Sequence, residues 1–193
     1  MGCGTRSLVC VLTSRNVGTA KAIAKDRQHP SLPFIGWATI TLFAFVLVAS
    51  VVGAPFAQAH GHPDFASSIY KTFSYVCHQI PERSFHLAGH QFAVCSRCTG
   101  LYVGFAVAAL VYPLARSLQR TDTPSRLWLM LATLPLLIDF ALGYFSIWDN
   151  THLSRFLTGA LLSSVAVFYV MPGLIDLSSA IARRLGRESA SEA

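Results

Sequence analysis

Charge is what this sequence has least of. Asp, Glu, Lys and Arg make up 12% of 193 residues, against 53% hydrophobic residues and a mean hydropathy of +0.49. A soluble domain carries about 25% charged residues, so a water-soluble globule is excluded and a membrane protein is implied. Acids are scarcer than bases, nine against fifteen, for a net charge of +6. No basic stripe with interleaved aromatics is present, which argues against nucleic acid as a partner. An ordinary cleaved signal peptide does not fit either, because the first apolar run begins too deep in the chain; that run reads as a retained helix.

What is present is four uninterrupted apolar segments. Residues 34–54, 99–115 and 156–175 hold no charge, and 127–148 holds one, Asp139. Each is long enough to cross a hydrocarbon core of about 30 Å as a helix. The expected fold is an all-α integral membrane bundle of four transmembrane helices. A basic tail (1–33) precedes it, a loop (55–98) joins the first two spans, and a second tail (176–193) follows. Eleven Lys and Arg fall on one side of such a bundle: Arg6, Arg15, Lys21, Lys25 and Arg27, then Arg116, Arg120 and Arg126, then Arg183, Arg184 and Arg187. Only Lys71, Arg83, Arg97 and Arg155 fall on the other. The positive-inside rule then places the protein as a multi-pass cell-membrane protein with both termini cytoplasmic and the 55–98 loop external. The lipid bilayer is the one partner the composition names; a homo-oligomer is compatible with four helices, and nothing points to a soluble partner.

The external loop carries the chemistry. Cys77 and His78 are followed by Cys95-Ser96-Arg97-Cys98, while Cys3 and Cys10 sit apart in the tail. Outside the cytoplasm, disulfides are permitted. Six of the seven histidines fall on the same side (His60, His62, His78, His86, His90 and His152), and His29 does not. Phe65, Ile69, Phe73 and Cys77 recur every four residues, with Ser67, Ser68, Lys71 and Ser74 opposite, so a short amphipathic helix should deliver Cys77 at its end. Pro81 and Gly89 then turn the chain.

Three readings of the cysteines stay open. Cys95 and Cys98 form half of a zinc site; Cys77 supplies a third ligand, and His78, His86, His90 or water completes a tetrahedron, with Asp139 or Glu82 as general base. Copper or iron would accept the same donors. Against a metal, the second half-site is neither another C-x-x-C nor H-x-x-x-H. In the redox reading, Cys98 opens a helix beside Arg97, which favours its thiolate; Cys77 exchanges with the Cys95/Cys98 pair and the electrons pass to a quinone. The plainest reading is one disulfide stapling the loop, leaving an odd thiol. His60-x-His62 faces one side only in an extended segment and is a weak metal pair.

Asp139 is the one ionisable group deep in a span, about 13 Å below Trp148 at 1.5 Å per residue. Arg97, Arg155 or a metal are its candidate partners, and these three residues are the candidate catalytic set. Ser96-Arg97-Cys98-Thr99-Gly100 and Ser154-Arg155-Phe156-Leu157-Thr158-Gly159 open two spans with similar words. Each arginine beside a helix start makes a positive corner that suits an anionic head group or a carboxylate, or else reaches for lipid phosphates. Gly100, Gly104 and Ala108 form a small-residue row for close helix packing. A small carrier or channel, with Asp139 and Arg155 along its path, is the remaining class, and Pro135 and Pro172 would interrupt its helices.

The run Cys77-His78-Gln79-Ile80-Pro81-Glu82-Arg83-Ser84, with Cys95-Ser96-Arg97-Cys98-Thr99-Gly100-Leu101-Tyr102-Val103-Gly104, resembles the family known as domain of unknown function 2085. The resemblance covers residues 70–175 and includes the Asp in the third span and the Thr-Gly entry to the fourth. It implies a multi-pass helical membrane protein and no particular activity.

Overall fold

The computed structural model describes residues 31–120 and 122–191. The basic tail at 1–30, with Cys3, Cys10 and His29, lies outside the described residues, as do the side chains of Arg183, Arg184 and Arg187. The elements are α1 (Ser31–Ala59), α2 (Pro63–Ser74), a 3-10 turn (Pro81–Arg83), strands β1 (His86–Leu87) and β2 (His90–Gln91), α3 (Ser96–Ala115), α4 (Arg126–Tyr144) and α5 (His152–Ser191). Four stretches are long and apolar enough to cross a membrane: Pro33–Ala59, Ser96–Ala115, Arg126–Tyr144 and His152–Ser178. Large apolar side chains such as Leu42, Trp128, Leu137 and Leu161 stand exposed on their outer faces. A helix apolar on its outer face as well as its inner one satisfies its own backbone and meets lipid rather than water.

Several ends differ from the sequence reading. α3 opens at Ser96 with Cys95 as its N-cap residue, so Cys98 lies in the first turn instead of ahead of it. α4 closes at Tyr144, which leaves Asp139 about 7.5 Å from the helix end rather than 13 Å. α5 continues past residue 175 to Ser191. Pro135 and Pro172 both lie inside continuous helices and do not interrupt them. The amphipathic helix forms as α2, but Cys77 follows it, past a turn at 75–76. A two-residue antiparallel hairpin, with His86 opposite Gln91 and Leu87 opposite His90, was not foreseen; Ala88 and Gly89 turn it with positive φ.

α3 and α5 make the most extensive helix pair, and their small residues explain why. A β-carbon on Gly100 would strike the Phe156 backbone, one on Gly104 the Ala160 backbone, and one on Gly159 the Arg97 carbonyl. The two Thr-Gly words therefore oppose each other across one crossing, where bare backbone lets the axes approach. Ser164 Oγ donates to Gly104 O at 3.2 Å across the same contact.

Two prolines fasten α1 to the rest. Proline has no N–H, so it leaves the carbonyl four residues earlier without its helical donor. Pro55 frees Val51 O, which accepts the Ala93 N–H at 3.3 Å. Pro113 frees Ala109 O, which accepts the Trp37 indole N–H at 2.7 Å. Each bond lies in one of two buried clusters. The first joins Val51 and Ala54 to Phe73, Cys77, Ala93 and Val94; the second joins Ala109 and Tyr112 to Val167, Met171 and Ile175, with Trp37 against it.

Candidate functional site

Three thiols meet at the end of the bundle where α3 begins. Each reaches the site by a different local device. Cys77 follows the turn after α2 and is buried in the Val51–Ala93 cluster. Gln79, two residues on, takes positive φ and uses its amide to donate to Tyr70 O at 2.7 Å and to Ala93 O at 2.8 Å. It ties the Cys77 segment to the Cys95 segment. The Tyr70 hydroxyl adds a bond to Gln91 O at 2.5 Å. Ser84 is buried and donates to Ile80 O at 2.8 Å, closing the turn that Pro81 opens. Phe85 then packs its ring against Phe92, His152 and Phe156, which docks the loop on the start of α5.

The result is that the Cys77, Cys95 and Cys98 sulfurs all lie within 4.8 Å of one another. None of the three is in a disulfide. The Cys95 N–H donates to Cys77 Sγ at 3.3 Å. Hydrogen bonds from the Cys77 thiol, and next from the Cys98 thiol, hold Cys95 below the ordinary thiol range. The favoured thiolate is thus Cys95, at the N-cap, where sequence reasoning had pointed to Cys98.

A cavity of about 410 Å³ adjoins the cluster. Its wall includes all three cysteines, His78, Arg83, Arg97 and Arg155. His78 is exposed and stands on this wall, outside the tight sulfur set. Glu82 is exposed on the 3-10 turn and does not line the cavity. His86 is exposed on β1, and His90 lines a separate hollow with Tyr70 and Gln79. His60 bonds through Nδ1 to Phe56 O, within its own turn, and His152 Nδ1 lies 3.0 Å from Ser96 Oγ.

Asp139 is buried behind this wall and not on it. Its Oδ2 accepts from Arg97, and its Oδ1 accepts from Ser154 at 2.9 Å. Asn150 donates to its backbone carbonyl. Of the three partners the sequence allowed, Arg97 is the one in contact. The guanidinium also sits 5.7 Å from the centre of the Phe140 ring, so it is held on two sides. Among the described residues, no carboxylate pairs with Arg83 or Arg155. Gln79, Phe85 and Asn150 had not been singled out. Gln79 lies inside the Cys-His-Gln motif, but its two backbone partners are remote in sequence, so spacing carries no sign of them.

A family described as "Predicted membrane protein (DUF2085)" matches residues 77–169, a stretch that begins at Cys77 and runs through α3 and α4 into α5. An uncharacterised protein of Methanocaldococcus jannaschii, MJ1492, is 35% identical over 109 residues, covering 56% of this chain and 70% of that protein. An uncharacterised protein of Methanothermobacter thermautotrophicus is 38% identical over 87 residues, covering 45% of this chain and 77% of that protein. No solved structure matches.

Proposed function

We propose, for a chain that belongs to the DUF2085 family of predicted membrane proteins and whose family description names no activity, that Cys77, Cys95 and Cys98 hold one zinc ion at the membrane surface. The observation that carries this reading is the mutual approach of three unpaired sulfurs to within 4.8 Å. Zinc–sulfur bonds of about 2.3 Å in a tetrahedron put sulfurs about 3.8 Å apart, so a small contraction closes the set. Thiolates are soft donors that select zinc or copper(I) over calcium or magnesium. The Cys95 N–H on Cys77 Sγ supplies the kind of outer hydrogen bond that steadies a metal thiolate.

Three protein ligands leave a fourth position, and the cavity gives it somewhere to open. His78 on the wall could turn in and close the site as a structural one; water there would leave it open as a catalytic one. Arg97 and Arg155 line the same cavity. Asp139 serves it indirectly, by fixing Arg97. The excess of Lys and Arg on the opposite side of the bundle supports an external location for the centre.

Metal analysis of the purified protein tests the reading. About one zinc per chain is expected, lost in Cys95→Ser. Dithiol exchange is the second reading, favoured by the Cys-x-x-Cys pair that opens α3 with its thiols in contact and unjoined. Metal-free protein that takes up and releases a Cys95–Cys98 disulfide against glutathione would replace the first reading by the second.

A further inference from the structure

The thiol cluster stands between two spaces of opposite character. On one side is the 410 Å³ cavity with its arginines. On the other is an apolar groove of about 930 Å³ between α1, α3 and α5, walled by residues such as Phe43, Leu47, Tyr102 and Phe105. Val76 and Cys98 line both, so the two spaces share a wall at the cluster. Along α5 the groove runs from Leu162 to Leu174, twelve residues or about 18 Å.

The charges in the upper space are not balanced by protein. Arg97 is neutralised by Asp139. Arg83 and Arg155 have no carboxylate partner among the described residues, and the Nε of Arg155 is buried without a hydrogen bond. Two guanidiniums thus line the cavity with no described carboxylate to answer them. A phosphodiester carries one negative charge and offers oxygens that arginine grips in a planar fork.

We infer that the arginine cavity and the apolar groove form a single binding site for an anionic phosphodiester-headed lipid, its head on Arg83 and Arg155 beside the thiol cluster and one chain in the groove. A neutral isoprenoid such as a quinone would fill the groove but leave both arginines unanswered. A small free anion would answer the arginines and leave the groove to bulk lipid. The proximity of the head to a metal rests on the zinc reading; the grip of the arginines and the groove does not.

The test uses the full chain in a neutral detergent, with native mass spectrometry as the readout and dioleoylphosphatidylglycerol, dioleoylglycerol and inorganic phosphate as probes. The expected result is one retained phosphatidylglycerol, no retained dioleoylglycerol, and no displacement by phosphate in large excess. R83Q/R155Q should weaken retention about tenfold. Ala166→Phe, which fills the groove and leaves the arginines intact, should also weaken it, and it decides the matter if the double variant does not fold. Equal retention of dioleoylglycerol, displacement by phosphate, or full retention in Ala166→Phe would each overturn the site. Zinc is measured on the same samples. Lipid retained without metal removes the zinc reading and keeps this one, and metal retained without lipid does the reverse.

Discussion

The indole N–H of Trp37 in α1 donates to the carbonyl of Ala109 in α3 at 2.7 Å, and that carbonyl is free only because Pro113 has no N–H to give it. A proline in a spanning helix is tolerated when a neighbour takes over the bond it removes. Here the neighbour is a side chain on another helix, so the local defect becomes a tertiary tie.

The tie predicts a coupled pair of substitutions. Trp37→Phe removes the donor and should cost about 1 kcal/mol of unfolding free energy from the hydrogen bond alone, with a further loss from packing. Pro113→Ala restores an N–H that competes for Ala109 O within α3. In that background Trp37→Phe should cost less. Unfolding of the four proteins of the cycle in detergent measures the coupling; strictly additive effects would mean the bond contributes nothing.

The α3–α5 crossing makes a second prediction. A methyl on Gly100 would meet the Phe156 backbone, which cannot move without shifting α5. Gly100→Ala should therefore destabilise by about 1–3 kcal/mol, the range for overpacking. Gly53→Ala is the control, because a β-carbon there meets nothing within 4 Å. Replacing a helical glycine in open space should be neutral or stabilising by about 0.5–1 kcal/mol. Melting temperatures of the two variants check this; equal shifts would refute the close crossing.

How much of this was visible in the sequence divides along physical lines. The four spans were legible because an apolar run of such length with at most one charge has few other uses. The convergence of the thiols was expected as well, since α2 carries helical periodicity that ends beside Cys77. Asp139 drew attention as a lone buried acid, yet its partner had to be chosen among Arg97, Arg155 and a metal, because helix rotation is not encoded in apolar runs. The roles of Pro55 and Pro113 were hidden for a related reason: each carbonyl they free is filled by a residue far away, Ala93 or Trp37. The groove was invisible because it is a space between three helices, and no single stretch of sequence lines it.

Arg97 and Asp139 supply a third prediction. Asp139 is buried and the Arg97 side chain is 22% exposed. Removing one partner of a buried pair strands the other; with Arg97 partly solvated, Arg97→Leu or Asp139→Leu should each cost about 2–3 kcal/mol, below the full penalty of a wholly buried pair. The double variant R97L/D139L should be less destabilised than the sum of the two. Asp139→Asn keeps an acceptor for Ser154 and should be milder than Asp139→Leu. Thermal unfolding ranks the four, and a double variant at or beyond the sum would show that the pair is not coupled.

Metal removal tests the site and its scaffold together. If the three thiolates bind zinc, binding free energy is folding free energy for the loop that carries Cys77. A strong chelator should then lower the melting temperature and expose the loop from Ile80 to Val94 to protease, while α4 stays protected because none of the three cysteines belongs to it. Cys77→Ser should reproduce that pattern and resist further change by chelator, since it removes a thiolate ligand while its hydroxyl still offers an acceptor to the Cys95 N–H. Ligation also requires deprotonated thiols, so metal should be lost as pH falls, with protons taken up on release. Limited proteolysis with and without chelator, in the wild-type and Cys77→Ser proteins, reads the loop exposure, and melting curves with metal content measured across pH read the rest. A chelator that leaves the wild-type cleavage pattern unchanged would mean that the loop is held by Gln79, Phe85 and the buried cluster alone, with no metal contributing to it.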